Sequence, residues 1–159
     1  MTKKVELFIP CFVDQLYPET AFNTIKLLEK AGCQVDYNPE QTCCGQPAYN
    51  AGFWDNAKTV GRQFLTNFSD EHYVVSPSAS CVGMVKSGYN DLFTNSTEHN
   101  KCRNIQRHIY ELSDFLINVL KVENFGAELV GTAVYHDSCS ALRECKIKDE
   151  PRRLLSHVG

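Results

Sequence analysis

A chain of 159 residues with a net charge of −3 has room for one domain of ordinary size and lacks the cationic surplus that a nucleic-acid partner demands. Its 43% hydrophobic and 22% charged residues describe a globular, water-soluble chain and exclude a disordered one. The opening Met1–Pro10 carries two lysines, but Glu6 and Pro10 interrupt its short apolar run, so it does not read as a signal peptide, and no run elsewhere predicts a transmembrane segment. The expected address is cytoplasmic.

Val5 to Ile9 is an apolar run closed by Pro10 and predicts a buried strand. From Thr20, apolar residues recur at Phe22, Ile25, Leu28 and Ala31, the spacing of a helix, with Lys30 and Gly32 as its stop signals. Cys33 to Tyr37 predicts a second strand. Phe53, Ala57, Val60, Phe64 and Phe68 then mark one face of a long helix, and its phenylalanine stripe, with Trp54, is assigned to the core. His72 to Val75 predicts a third strand closed by Ser76-Pro77, after which Cys81 leads into a shorter helix through Val82, Val85, Tyr89 and Leu92. Ile105, Ile109, Leu112, Leu116 and Val119 predict one continuous amphipathic helix. A fourth strand is expected over Leu129 to Tyr135, and a last helical fragment over Pro151 to His157. Strands alternating with helices imply an α/β fold, an open and mostly parallel sheet with helices on both faces.

Eight cysteines are many for a reducing compartment, where disulfides are rarely retained and clustered thiols more often signal metal or redox chemistry. The vicinal pair in Thr42-Cys43-Cys44-Gly45-Gln46-Pro47 is the distinctive cluster. Neighbouring side chains on an extended strand face opposite ways, so both thiols reach one centre only if the backbone bends. Gly45 permits that bend and Pro47 keeps the segment out of a sheet interior. Cys11 follows the first predicted strand, Cys43 and Cys44 the second, and Cys81 the third. In a parallel sheet all three loops emerge at the carboxyl edge, where open α/β sheets bind ligands.

Other residues have blander readings. Cys33 is expected in the core, Cys102 in the core or at the surface, and Cys139 and Cys145 unligated. His136-Asp137 reads as a turn at a strand end, and Lys101, Arg103, Arg107 and His108 as a solvated face. Gln46 and Tyr49 are candidates for the mouth of the thiol site. No P-loop or GxGxxG pattern is present, and no catalytic residue is assigned.

The chain half-repeats itself. Phe8-Ile9-Pro10-Cys11, then Pro18, an apolar helix and Gly32, parallels Tyr135-His136-Asp137-Ser138-Cys139, then Pro151, an apolar helix and Gly159. In that register a second Cys-Cys-Gly falls near position ~171. The expectation is one complete repeat over 1–125 and the opening strand and helix of a truncated second repeat over 126–159.

These residues resemble the cysteine-rich CCG-domain family, whose pattern is one cysteine, then Cys-Cys-Gly, then Cys-x-x-Cys, usually in two copies. Here 31 residues lie between Cys11 and Cys43, and 35 between Gly45 and Cys81. The short start and Pro10-Cys11-Phe12-Val13-Asp14 look most like the lactate-utilisation A-type members, with the glycolate oxidase iron–sulfur subunits close by. The resemblance implies an iron–sulfur electron-transfer subunit of a complex oxidising L-lactate, glycolate or another 2-hydroxy acid, with the other subunits of that complex as partners. One departure matters: Met84 stands where the family's last cysteine would be. Cys11, Cys43, Cys44 and Cys81 remain as cofactor and metal ligands, the number that a [4Fe–4S] cluster or a four-cysteine zinc site takes. Zinc in a structural docking module is therefore the alternative. A thiol–disulfide reductase of the heterodisulfide type is the third reading, weakened by the strain of a vicinal disulfide and the absence of a resolving Cys-x-x-Cys.

Overall fold

The computed structural model describes residues 2–159. Four strands, β1 (Lys4–Leu7), β2 (Gln34–Asp36), β3 (Tyr73–Ser76) and β4 (Ile109–Glu111), form one sheet in the order β2-β1-β3-β4, every pair parallel. Parallel neighbours need crossovers, and helices supply them on both faces. After β1 come α1 (Cys11–Leu16) and α2 (Pro18–Lys30), and after β2 come α3 (Gln46–Asn50) and α4 (Trp54–Asn67). Beyond β3, α5 (Ala79–Gly83) runs through a π turn (Met84–Gly88) into α6 (Tyr89–Phe93), followed by α7 (His99–His108). After β4, α8 (Leu112–Asp114) continues as π-helical Phe115–Leu120, and π-helical Ser140–Cys145 and α9 (Glu150–Leu155) complete the chain. The α/β expectation, with an open parallel sheet, holds.

Successive strand residues face opposite sides, so β3 divides its valines between two cores. Val74 joins Phe8, Phe64, Phe68, Tyr89, Phe93 and Ile105, whereas Val75 joins Val5, Leu7, Leu28, Phe115 and Leu116. The first core is braced by edge-on aromatic contacts, with Phe8 4.9 Å from Phe64 and 5.5 Å from Phe68 between centroids.

Three expectations are corrected. The helix predicted from Ile105 to Val119 is split: α7 ends at His108, and Ile109 is extended (φ −91, ψ 132) and pairs with Val74 in β4. Apolar residues at 105, 109, 112 and 116 read alike whether they line one helix or a helix, a strand and a second helix in succession, and sheet pairing decides between them. Leu129 to Tyr135 is not the fourth strand but exposed coil, with Val130 and Val134 at 105% and 94% exposure. β-branched composition makes a strand only where an edge lies alongside, and here the backbone pairs just at its foot, where Gly159 donates to Ala127 (3.0 Å) and Leu129 to Gly159 (2.8 Å). Trp54 and Phe53 are exposed (54% and 64%) because they lie at the start of α4, before it turns its apolar face onto the sheet.

Candidate metal centre

The strand order places the three thiol loops. β1 connects outward to β2 on one side and is flanked by β3 on the other, so the crevice beyond the carboxyl ends of β1 and β3 is the topological switch point, where open α/β sheets bind ligands. Cys11 follows β1 and Cys81 follows β3, on the two sides of that crevice, and the Cys43-Cys44 loop reaches it from β2.

Each loop is shaped by a local constraint. Pro10 (φ −64, ψ 151) ends the extended run and hands over to α1, placing Cys11 as its first residue; no helix was expected there. Gly45 sits at φ 84, the left-handed conformation the sequence asked of it, and caps α3. Cys81 lies within the first turn of α5 rather than just before the helix, since that helix begins two residues earlier at Ala79. Gln41 ties two of the loops together. Its Oε1 accepts from Ile9 N (2.7 Å), and its Nε2 donates to the carbonyls of Leu7 (3.1 Å) and Asn38 (2.9 Å). The side chain thus fastens the end of β1, just before Cys11, to the segment just before Cys43, and sequence reading missed it.

The four predicted thiols meet. Cys11, Cys43, Cys44 and Cys81 line one hollow together with Pro10, Phe12, Val13, Gln46, Pro47, Ser78 and Ser80. The sulfurs contact one another in the order Cys11, Cys43, Cys44, Cys81. Hydrogen bonds with the Cys43 and Cys81 sulfurs on either side, and then burial, push the Cys44 thiol far up. In turn the Cys44 thiol, helped by the Gly45 N–H (3.4 Å from Sγ) and the Cys11 thiol, pulls Cys43 down to about 5. Cys81 falls to about 7, first through Cys44 and then through the Ser78 and Ser80 hydroxyls. Cys11 rises, through burial and the Cys43 sulfur beside it.

A row of thiols is not a closed cage, and among the described residues no three His, Cys, Asp or Glu side chains are drawn together in metal-binding geometry. The donor chemistry nonetheless fits a thiolate-bound centre. Four sulfurs converge, two of them with depressed pKa, and hydrogen-bond donors stand behind them.

The remaining sequence candidates separate cleanly. Met84 is 3% exposed and turns its sulfur toward Gly88, lining a different, polar hollow with Gln46, Tyr49, Asp91 and Glu144. Gln46 lies between the two hollows, whereas Tyr49 stacks on Trp54 (5.8 Å) and donates to Asp91, away from the thiols. Cys33 and Cys102 are core residues, Cys139 is exposed, and half-buried Cys145 directs its thiol to the Ala79 carbonyl (3.4 Å). Asp137 is held by both terminal nitrogens of Arg152 (2.8 and 2.5 Å), which fits its reading as a structural turn.

A family model described as the cysteine-rich domain, CCG, matches residues 5–86, the stretch that contains all four thiols. This chain belongs to the CCG family. Among curated relatives of this CCG protein, lactate utilization protein A of Geobacillus kaustophilus (strain HTA426) is 46% identical over 156 residues, 98% of the chain and 65% of the relative. The protein of that name from Geobacillus thermodenitrificans (strain NG80-2) is 44% identical with the same coverage. Lactate utilization protein A 2 of Bacillus cereus (strain Q1) is 41% identical, over 98% of the chain and 64% of the relative. The chain thus spans about two thirds of the length of the relatives it matches. No solved structure matches. No helix among the described residues is long and apolar enough to cross a membrane.

Proposed function

We propose that Cys11, Cys43, Cys44 and Cys81 hold an iron–sulfur cluster, [4Fe–4S] in type, and that the chain is an electron-transfer subunit of a complex oxidising L-lactate or a related 2-hydroxy acid such as glycolate. The observation that carries this reading is the meeting of thiols from three separate loops in one hollow at the strand-order switch. Thiols that merely fill space have no reason to meet, and neither Cys33 nor Cys102 lines this hollow. The substrate comes from the relatives' printed names. When bound, such a cluster supplies one-electron transfer at a potential set by burial and by hydrogen bonds to sulfur. The chain's part is to anchor the sulfurs and to aim the Gly45 N–H and the Ser78 and Ser80 hydroxyls at them. Electrons then reach and leave the chain through other subunits of a cytoplasmic complex.

In this reading 1–125 form one CCG repeat and 126–159 open a second. Cys139 precedes a helical turn as Cys11 starts one, and Pro151 stands in the first turn of α9 as Pro18 does in α2. The backbone pairing of Gly159 with Ala127 and Leu129 is that of a parallel strand starting alongside, as Gln34 starts beside Lys3.

The test is iron and acid-labile sulfide analysis of anaerobically prepared protein, with EPR after reduction. Both elements and a reduced-cluster signal are expected, and absence of both overturns the redox reading. Zinc without iron would favour a four-cysteine docking module, a second reading supported by Met84 standing outside the hollow where a fifth thiol would be needed for a larger cluster.

A further inference from the structure

Tyr89 is fully buried (0%), and its hydroxyl donates to the carbonyl oxygen of Cys44 at 3.0 Å. The ring has no freedom to leave. It packs edge-on against Phe64 (5.8 Å) and Phe93 (5.2 Å), and a Cβ at Gly61 of α4 would already lie 3.4 Å from it. A phenylalanine would fill that space equally well, so the hydroxyl has a function apart from packing. It satisfies the one backbone acceptor that sits between the vicinal thiols and the left-handed Gly45.

The helix that carries Tyr89 also carries Cys81, eight residues earlier. In an unbroken α-helix two turns take about seven residues, and an eighth would rotate the side chain off the face. The π turn at Met84–Gly88 lies between them and absorbs one residue through its i→i+5 bonding. Tyr89 therefore returns to the face from which Cys81 projects.

We propose that Tyr89 is a positioning residue for the thiol centre, fixing the Cys44 carbonyl so that the vicinal pair stands against Cys81, with the π turn supplying the helical phase. The role rests on the reading of the four thiols as one centre. Tyr89→Phe keeps every ring contact and removes only the hydroxyl. Two measurements on the full chain, made anaerobically, decide the matter. The first is site-resolved iodoacetamide labelling of the metal-free protein, in which Cys44 (1% exposed) and Cys102 (2%) are equally hidden members of one core. Loss of one buried hydrogen bond raises Cys44 labelling about five-fold in the variant and leaves Cys102 unchanged. No rise at Cys44, or an equal rise at both, overturns the proposal. The second is titration with cobalt(II), followed by thiolate-to-cobalt absorption, with binding about five-fold weaker in the variant. A wild-type band that the variant reproduces at equal affinity overturns the role of Tyr89 alone. A wild-type protein without the band, and without iron or sulfide, removes the shared centre and this role with it.

Discussion

Gly45 and Ala57 approach so closely that a Cβ at position 45 would lie 3.0 Å from the Ala57 carbonyl oxygen. That oxygen belongs to the backbone of α4, which cannot swing aside as a flexible side chain would. Gly45 also has φ 84, where any other residue is strained. Gly45→Ala therefore meets two penalties and should destabilise the fold by about 3 kcal/mol, read as a lower urea midpoint at unchanged slope. Gly32 has the same φ but open space around it, so Gly32→Ala should cost only the backbone strain, about 1 kcal/mol. Equal losses at the two glycines would mean that the contact with Ala57 does not constrain the thiol loop.

Gln41 makes two hydrogen bonds to the end of β1, more than thirty residues away in sequence, and a third to Asn38 in its own loop. Gln41→Leu strands the Ile9 N–H and the Leu7 carbonyl in a partly buried site, and about 2 kcal/mol of stability should be lost. Gln41→Glu keeps the acceptor for Ile9 but removes the donor, so its loss should fall between wild type and the leucine variant. Urea unfolding measures all three, and a leucine variant as stable as wild type would show that the clamp is idle.

The thiols give the metal-free protein a characteristic pH dependence. Cys43 is lowered to about 5 and Cys81 to about 7, against an ordinary value of 9.0 that the unfolded chain keeps. Between those limits the unfolded state binds protons that the folded state has released, so stability rises with pH. That contribution is complete above the unfolded value, and it is lost as pH falls through about 7 and then about 5. Cys44 and Cys11 act oppositely: raised in the fold, they keep protons that the unfolded chain gives up at high pH, so stability declines there. Urea midpoints of reduced, metal-free protein should climb from pH 5 toward 9 and then fall, and alanine at Cys43 should flatten the acid limb.

The legible part of this chain was the part with strong local punctuation. Pro10 and the serine-proline turn at 76–77 mark where two strands give way to loops, and Gly45 marks the bend after the vicinal thiols, so the gathering of Cys11, Cys43, Cys44 and Cys81 along one hollow was legible in the sequence. What was lost depends on partners distant in sequence. Ile109 becomes a strand residue because Val74 lies beside it, and no periodicity within 105–119 carries that information. Gln41 and Tyr89 act through backbone carbonyls, which a side-chain pattern does not reveal. Val130 and Val134 carry a strand's composition without a strand's neighbours.

Those two valines permit a sharp contrast. Val130→Thr and Val134→Thr remove apolar surface that is already in water, so each should change stability by less than about 0.5 kcal/mol. Val74→Ala, at a residue with 0% exposure, opens a cavity beside Phe8 and Phe64 and should cost about 2–3 kcal/mol. If the threonine variants unfold as readily as Val74→Ala, 128–135 is packed in solution, and the exposed coil is not its resting state.

Cysteine replacement separates the thiols that meet from those that only pack. Cys33→Ala and Cys102→Ala remove core volume and should each cost about 1 kcal/mol, yet both should retain the metal or cluster content of wild type, because neither sulfur lines the hollow. Cys81→Ala should show the converse. Its side chain is only half-buried, so folding should be little affected, while one of the four proposed ligands is lost and bound metal should fall at least ten-fold. Cys145→Ala tests the boundary of the set, since its thiol lies against the Ala79 carbonyl, at the start of the helix that carries Cys81. As a packing residue it should behave like Cys102 and leave metal content intact. A fall in metal with unchanged stability would instead make Cys145 the fifth thiol that Met84 does not supply. Metal and sulfide content per folded chain, measured alongside the urea midpoint of each variant, resolves every case.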